Sequence, residues 1–332
     1  MKKIKIICTI GPSSSSKKIL KNLKKEKVDI FRINLSHTQI DKIESKIISL
    51  KKNKIKNICI DTEGAQIRTT LCKKKYYLKK NKIIKIFNSG DISDDKIIYL
   101  YPEFDICKIK KNSRLDIGFN NLSLVIKKVD KNKNELTCKV TKSGFLESKK
   151  GVHLNKEIFL PPLTKKDLFA LKLAKKYNIK YFAISFVNQG SDVKEVRKVV
   201  GSKAFIISKI ETKRALHNLL KIAKTSDALL IDRGDLSRYI PIESIPLAQE
   251  QEINFLNRIK KPTYIATNLL ETMIRDTLPT RAESHDIYAS LKQGAKGLVL
   301  AAETAIGQDP VSCVKFLKKC INSYKKKIKI IN

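Results

Sequence analysis

The sequence lacks any apolar run long enough to cross a membrane. Its uncharged apolar runs, such as 204–207 and 298–302, fall far short of the roughly 20 residues that a spanning helix requires. The amino terminus also lacks a secretory signal, because Met1-Lys2-Lys3 leads directly into a strand-like segment and Gly11-Pro12. These absences argue against membrane and secreted classes, and we expect a soluble, cytoplasmic protein with no membrane partner.

Cysteine pairs at the spacing of zinc or redox motifs are also missing. The seven cysteines are an odd number, and none of them forms a C-x-x-C pair. This pattern indicates reduced, mostly buried thiols and predicts that the chain has no zinc site.

Acidic residues are scarce, with 32 against 69 lysines and arginines and a net charge of +37. A nucleic-acid-binding protein would cluster this charge on one element and favour arginine for reading bases. Only 10 of the 69 are arginine, however, and Lys-Lys pairs occur along the whole chain. The 46 isoleucines fit a drift toward residues with AT-rich codons. We therefore expect no specific nucleic-acid partner, although the charge favours non-specific attraction to polyanions.

Short β-branched apolar segments alternate with segments of helical period over most of the chain. The apolar segments predict eight strands, at 4–10, 29–35, 58–62, 181–186, 204–210, 228–231, 263–266 and 297–301. The periodic segments predict helices at about 13–27, 38–52, 164–177, 191–200, 213–224, 243–259, 283–292 and 311–325. Eight strands alternating with eight helices predict an α/β fold, a (β/α)8 TIM barrel.

The barrel segments 1–69 and 156–332 together approach the roughly 250 residues typical of this fold. Residues 70–155 instead show short alternating runs broken by Asn, Asp, Ser and Gly, which predicts a small all-β domain. We interpret this domain as a lid inserted after the third strand. A doubly wound open sheet is the alternative, but no Gly-rich dinucleotide loop follows the first strand.

Polar residues recur at the predicted carboxyl ends of the strands, where barrel enzymes place their catalytic groups. One such cluster proves little, but seven strand ends with polar residues on one rim are hard to explain by structure alone. These residues are Arg32, Asn34, Ser36, His37, Asp61, Thr62, Arg68, Ser185, Lys209, Glu211, Arg233, Asp235, Thr267, Glu303 and Thr304.

Lys209 and Glu211 lie two residues apart on one strand, so both side chains face the same side. Alone, they could form a buried ion pair. Asp235 at the next strand end adds a second carboxylate, and two carboxylates with few other acids nearby suit a hard divalent cation. With Arg32 and Arg233 at the same mouth, the arrangement is typical of phosphoryl transfer.

Two further groups of residues allow more than one interpretation. Segment 233–237 has Gly234 where a backbone could approach an anionic ligand, although a tight turn explains the glycine equally well. On the second and third strands, four residues offer oxygen atoms that could bind a monovalent cation or merely cap loops. They are Asn34, Ser36, Asp61 and Thr62.

Nine short segments resemble the motifs of pyruvate kinases, in order and across nearly the whole chain. They are IICTIGP (6–12), RINLSH (32–37), DTEGAQIR (61–68), SKKGV (148–152), ISKIE (207–211), RGDL (233–236), ATNLLETM (266–273), PTRAE (279–283) and ETAIG (303–307). The resemblance implies transfer of a phosphoryl group from phosphoenolpyruvate to ADP, which yields ATP and an enolate that is protonated to pyruvate.

The resemblance also implies roles for residues in the barrel. Lys209 would stabilise charge on the transferring phosphoryl group and the enolate, and Arg32 would contact the phosphate. Glu211 and Asp235 would hold Mg²⁺ or Mn²⁺. Substrate carboxylate would bind at the backbone of Gly234 and Asp235, and Thr267 would belong to the route of proton delivery.

For the nucleotide, the resemblance implies contacts from Asn34, His37, Arg68 and Lys150, the last of these on the return strand of the lid. Four positions match the potassium ligands of the family. They are Asn34, Ser36, Asp61 and Thr62.

The sequence departs from the family at several positions. Gln66 stands where potassium-dependent members carry Glu, so the requirement for potassium is open. Other changes lie beside the site, at Glu63, Ala65, Ile117, Asn188, Ser237, Ala301 and Ala302. They allow a degenerate paralogue that binds without turnover, and a different metal-dependent phosphoenolpyruvate or pyruvate barrel enzyme is a further alternative. We also expect that the usual C-terminal effector domain is absent and that a homo-oligomer is compatible with the chain.

Overall fold

The computed structural model describes residues 3–118, 121–155, 158 and 160–326. The chain divides into two compact units, one formed by Met1–Gly64 with Pro162–Asn332 and the other by Ala65–Pro161. The domain limits 1–69, 70–155 and 156–332 stay a prediction. Of those ranges, residues 1, 2, 119, 120, 156, 157, 159 and 327–332 lie outside the described residues.

The first unit is a closed barrel of eight parallel strands, so the predicted (β/α)8 fold class is confirmed. Around the ring, the first strand pairs with the second and the last. The barrel strands are β1 (Lys5–Thr9), β2 (Ile30–Asn34), β3 (Ile58–Asp61), β15 (Tyr181–Ile184), β16 (Phe205–Ile210), β17 (Ala228–Asp232), β18 (Thr263–Ala266) and β19 (Gly297–Leu300); the intervening numbers β4–β14 belong to the second unit.

Helices follow the barrel strands along the chain. They are α1 (Lys17–Lys25), α2 (Ile43–Lys52), α3 (Lys165–Lys176), α4 (Gly190–Val200), α5 (Lys213–His217), α6 (Leu219–Thr225), α7 (Arg233–Leu236), α8 (Ile245–Arg258), α9 (Arg281–Gln293), α10 (Ala302–Ala305) and α11 (Pro310–Lys326). Short 3-10 turns lie at Pro12–Ser14, Leu35–His37, Ile40–Lys42, Ile242–Ser244 and Glu271–Ile274. Within the described part of the chain, no helix is long and apolar enough to span a membrane.

Several predictions of local structure differ from the structure, and three of these differences have a clear local cause. The helix predicted at 213–224 is two helices, because Asn218 leaves helical geometry and donates from its amide to the carbonyl of Asn188. The helix predicted from residue 283 begins two residues earlier, because Thr280 caps it. Thr280 Oγ1 accepts from the backbone N–H of Glu283, and the Glu283 carboxylate accepts from the backbone N–H of Thr280. The segment Arg233–Leu236 is a short helix rather than a simple turn.

Alternation along the barrel strands sorts their side chains into two sets. One set packs against the surrounding helices and forms the larger core, with residues such as Ile33, Ile206 and Leu229. The other set fills the barrel interior and consists of Ile7, Ile30, Cys59, Ala183, Ile207, Ala228, Leu230, Tyr264, Ala266 and Val299. The interior is therefore a packed apolar plug, and any reactive site must lie above it.

The second unit is built of strands around its own apolar core. Its strands are β4 (Arg68–Thr69), β5 (Leu71–Cys72), β6 (Tyr76–Leu78), β7 (Ile83–Phe87), β8 (Ile92–Ser93), β9 (Ile97–Tyr101), β10 (Arg114–Ile117), β11 (Leu122–Asp130), β12 (Glu135–Lys142), β13 (Gly144–Leu146) and β14 (Val152–Leu154), with a 3-10 turn at Ile106–Lys108. Seven of them form one sheet in the order β14-β10-β11-β12-β7-β9-β4. Ile and Leu residues on the inward face build the core, as the alternating pattern predicts.

A buried carboxyl on α8 makes the stability of the barrel depend on pH. Glu252 is 4% exposed, and burial raises the pKa of its side chain from 4.5 to about 8. Because the folded pKa lies above the unfolded one, this group's contribution is fully present below pH 4.5 and is lost as pH rises toward 8. Between pH 5 and pH 8, we expect the free energy of unfolding of the wild type to fall by roughly 4 kcal/mol more than that of the Glu252→Gln variant.

Chemical denaturation at the two pH values measures this difference. Glu250→Gln is the matched control, since it makes the same change on the exposed face of α8 and should leave the pH dependence of the wild type unaltered. Parallel stability curves for the wild type and Glu252→Gln would contradict the assignment.

Candidate active site

A ring of polar side chains closes the apolar interior of the barrel at the carboxyl ends of its strands. Each of these residues lies two positions after an interior apolar residue on its own strand, so alternation turns it inward. The ring consists of Thr9, Arg32, Asp61, Ser185, Lys209 and Asp232, all of them buried. A buried layer of alternating charge at this rim is the expected position of a barrel active site.

Lys209 is the centre of this ring. Its Nζ lies 2.9 Å from Glu211 Oε1, 3.2 Å from Asp232 Oδ2 and 3.8 Å from Asp61 Oδ1, and it donates to Ser185 Oγ at 3.1 Å. Burial works to lower the pKa of Lys209, but the three carboxylates outweigh it and raise that pKa above its usual value. The ammonium is therefore held in its charged form at a fixed position.

Three carboxylates beside Lys209 form a group that could hold a metal ion. One ligand oxygen from each of Glu211, Asp232 and Asp235 lies within 4.8 Å of the others. Burial raises the pKa of Glu211, while the charge of Lys209 opposes that rise. Glu211 Oε1 makes no hydrogen bond within the described residues, and its contact is the ion pair with Lys209. Clustered oxygen donors of this kind fit a hard divalent cation.

The backbone on the neighbouring strand fixes the second oxygen of Glu211. Phe186 directs its N–H to Glu211 Oε2 from a left-handed conformation, with φ of +54°. Such a conformation is disfavoured for a bulky residue and is retained where the surrounding structure imposes it. The strain is consistent with a carboxylate whose orientation matters.

Asp232 is a site residue that the sequence analysis missed. The sixth strand was predicted to end at Ile231, whereas it continues to Asp232. Alternation was the signal that could have found it, because Ala228, Leu230 and Asp232 share the inward face. Although burial favours the neutral acid, Lys209 and a hydrogen-bonded threonine lower the pKa of Asp232 below its usual value.

Thr267 is that threonine, and it lies beside Gly234 of the RGDL segment. Its hydroxyl donates to Asp232 Oδ1 at 2.7 Å, and its own φ is +78°, which is rare for a β-branched residue. Arg233 donates to the carbonyl of Thr267 and pairs with Asp286 at 2.7 Å. A Cβ on Gly234 would lie 2.9 Å from Thr267 Cγ2, so the glycine permits this close approach.

Arg32 contributes positive charge on the other side of the ring. Its Nε donates to Thr9 Oγ1 at 2.8 Å, and its Nη1 lies 3.2 Å from Asp61 Oδ2. Both contacts hold the guanidinium in the buried layer. Arg32 and Lys209 therefore contact the same carboxylate, Asp61, through its two different oxygens.

The four residues with a predicted role in potassium binding lie on two adjacent strand ends. Asn34 and Asp61 are register partners on β2 and β3. Asn34 Oδ1 accepts from the N–H of Ser36 and caps the following turn, while Thr62 Oγ1 accepts from the N–H of Ser185. The Asn34 contact caps a loop, which is one of the two interpretations of the sequence. Potassium binding stays a prediction.

Hydrogen bonds and an ion pair hold the loop that follows β3. Asp167 at the start of α3 accepts from the backbone N–H groups of Glu63 and Gly64, at 2.9 and 3.1 Å. Glu63 in turn accepts from Thr164 Oγ1 and pairs with Lys166 at 3.1 Å. Glu63 thus has a positively charged neighbour and a hydrogen-bond donor. These two contacts explain how the protein accommodates an acid at a position where it differs from the family pattern.

A comparison of the sequence with models of protein families identifies the family of the chain. The family model described as "Pyruvate kinase, barrel domain" matches residues 1–314. The chain belongs to the pyruvate kinase family. The match covers the whole barrel ring, from β1 to β19.

Individual members of the pyruvate kinase family match over nearly the full chain. A pyruvate kinase of Thermotoga maritima is 33% identical over 99% of this chain and 72% of its own length. Pyruvate kinases of Staphylococcus epidermidis and Staphylococcus aureus are each 32% identical over 96% of this chain. The chain spans 56% of the length of each staphylococcal protein.

The residues with a predicted role in nucleotide binding divide between the two units of this family member. His37 and Asn34 belong to the barrel unit, at the turn after β2. Arg68 and Lys150 belong to the second unit, where the backbones of Thr69 and Lys150 hydrogen-bond and Arg68 reaches the carbonyl of Lys149. Arg68 and Lys150 are thus neighbours in space, although 82 positions apart in the sequence.

Proposed function

We propose that the chain acts as a pyruvate kinase, transferring the phosphoryl group of phosphoenolpyruvate to ADP to form pyruvate and ATP. The single observation that carries this proposal is Lys209, a buried ammonium ringed by Asp61, Glu211 and Asp232 beside Asp235. Phosphoryl transfer depends mainly on positioning and on neutralising charge, and this arrangement supplies both.

The proposed cofactor is Mg²⁺ or Mn²⁺, held by Glu211 and Asp235 with Asp232 in the same cluster. The bound cation would neutralise charge on the phosphoryl oxygens and the enolate oxygen. The carboxylate cluster supports this assignment, and so does Glu211 Oε1, which makes no hydrogen bond within the described residues. Mg²⁺ usually takes only one or two carboxylates and completes its shell with water and substrate oxygens, which agrees with two proposed ligands, Glu211 and Asp235.

The protein's own groups account for the remaining charge. Lys209 Nζ, fixed by three carboxylates, would lie against the transferring phosphoryl group, where a preorganised positive charge lowers the barrier. Arg32 would contact the phosphate from the same layer. The N–H groups of Gly234 and Asp235, in the first turn of α7, would bind the substrate carboxylate.

Thr267 is the proposed end of the route that delivers a proton to the enolate. Its hydroxyl hydrogen is held by Asp232 Oδ1 in this structure. The low pKa of Asp232 keeps that carboxylate an acceptor, so the threonine hydroxyl is oriented before substrate arrives.

For the nucleotide we propose contacts from Asn34, His37, Arg68 and Lys150, and the role of residues 70–155 as a lid stays a prediction. We propose potassium ligands at Asn34, Ser36, Asp61 and Thr62, with the need for potassium depending on Gln66. The proposed partners are phosphoenolpyruvate and ADP, and the proposed location is the cytoplasm. We expect no specific nucleic-acid partner, and the chain is compatible with assembly into a homo-oligomer.

The test is pyruvate formation from phosphoenolpyruvate and ADP, with Mg²⁺ and in the presence or absence of K⁺. We expect turnover that requires Mg²⁺, and comparison of Gln66→Glu with the wild type then shows what the glutamine does to potassium dependence. If the folded protein binds phosphoenolpyruvate but forms no pyruvate, with or without K⁺, the result would instead indicate a degenerate paralogue.

A further inference from the structure

A cavity of about 390 Å³ lies outside the barrel, between the α5–α6 pair and α8. Its volume falls within the roughly 300–1,000 Å³ typical of small-molecule sites. Aliphatic side chains form most of its wall, and three polar residues complete it. The wall consists of Leu216, Leu219, Ile240, Leu247, Ala248, Ser244, Gln251 and Glu252. All of these belong to the barrel unit, and none of them takes part in the proposed phosphoryl transfer.

Glu252 is the charged group of this cavity. It is 4% exposed, and neither carboxylate oxygen has a hydrogen-bond partner within the described residues. The other buried polar side chain of α8 behaves differently, because the Gln249 amide donates to Ser290 and Gln293. An unpartnered buried carboxyl costs stability, so its position in a cavity wall calls for an explanation.

We propose that this cavity binds a small aliphatic amine, with the ammonium on the Glu252 carboxylate and the alkyl chain along Leu216, Leu219 and Ile240. An alkyl chain that packs against the aliphatic wall gains free energy, because apolar surface on both sides is removed from water. The ionised carboxylate gives the cation a charge-assisted hydrogen bond, and the cation compensates the negative charge that burial otherwise disfavours. Both halves of the site are then satisfied by one molecule, which neither a neutral hydrocarbon nor an alkyl carboxylate can do.

The overall charge of the chain makes this a stringent proposal. At +37 the protein repels cations in general, so binding of an ammonium compound requires a local carboxylate that overcomes the repulsion. Glu252 is such a group, and its burial removes the screening that weakens exposed pairs.

The experiment is a calorimetric titration of the full chain at pH 8 with n-hexylamine, 1-hexanol and sodium hexanoate. We expect hexylamine to bind at least about tenfold more tightly than hexanol, with hexanoate the weakest. Glu252→Gln should lose that preference for the amine, whereas Glu250→Gln, on the exposed face of the same helix, should keep it. Methyl resonances of Leu216, Leu219 and Leu247 should shift on binding.

A second variant tests the cavity itself without touching the carboxyl. Ala248→Phe places a ring in the wall and should weaken binding of hexylamine and hexanol alike. Equal affinity for hexylamine and hexanol, or a Glu252→Gln variant that binds the amine as the wild type does, would overturn the proposal. Chemical shifts confined to residues outside the cavity would overturn it as well.

Discussion

Lys209→Met is expected to reduce phosphoryl transfer by at least about 10³-fold, because removing one preorganised charge or donor typically costs 10²–10³ and this charge is buried. The loss should fall on kcat more than on KM for phosphoenolpyruvate, since the charge that Lys209 neutralises develops in the transition state. Steady-state kinetics with saturating ADP and Mg²⁺ measures both. A variant within tenfold of wild-type kcat would refute the role.

Two controls separate this role from a loss of folding. Lys292→Met makes the same change on an exposed position of α9 and should retain wild-type turnover. Lys209→Arg keeps a positive charge among Asp61, Glu211 and Asp232 and should preserve the thermal midpoint. Its kcat should still fall, because the planar guanidinium cannot place its charge where the ammonium lies.

Glu211→Gln is expected to weaken binding of the divalent cation by about 100-fold or more. Changes to groups that only support metal ligands typically lower metal affinity about 10–100-fold. The loss of a direct carboxylate ligand should lower it at least as much as the upper end of that range. Electron paramagnetic resonance of Mn²⁺ bound to the protein measures the affinity without relying on activity. The magnesium titration of turnover should shift to higher concentration in parallel.

Glu195→Gln is the matched control for this prediction, since Glu195 is exposed on α4 and away from the cluster. Folding should survive the test change, because Lys209 keeps its contacts with Asp232 and Asp61. An unchanged Mn²⁺ affinity in Glu211→Gln would reject this residue as a metal ligand.

Local features of the site were accessible from the sequence. Alternation on a strand places Lys209 and Glu211 on one face, and the same rule extended by one residue would have included Asp232. Strand ends are poorly defined in a sequence, because the residue after the last apolar position is polar in either case. The break at Asn218 was missed because its cause, the carbonyl of Asn188, lies on another loop.

The pairing of charges depended on the tertiary structure. The sequence does not state which carboxylates surround Lys209, since Asp61 precedes it by 148 positions and Asp232 follows it by 23. Closure of the ring β1-β19-β18-β17-β16-β15-β3-β2 brings both to its ammonium. The same holds for Thr267, whose contact with Asp232 requires β17 and β18 to be neighbours.

The sequence by itself determined the barrel, the inward-facing chemistry of its strand ends and the family motifs, because side-chain alternation and helical period are local properties of the chain. The tertiary structure alone decided which of those groups meet. It alone revealed Glu252 in its cavity, with no hydrogen-bond partner among the residues that the structure describes. From a sequence alone, a glutamate on an amphipathic helix is predicted to be exposed to solvent. Only the packing of α8 against its neighbours removes water from it, and burial is a property of the whole fold.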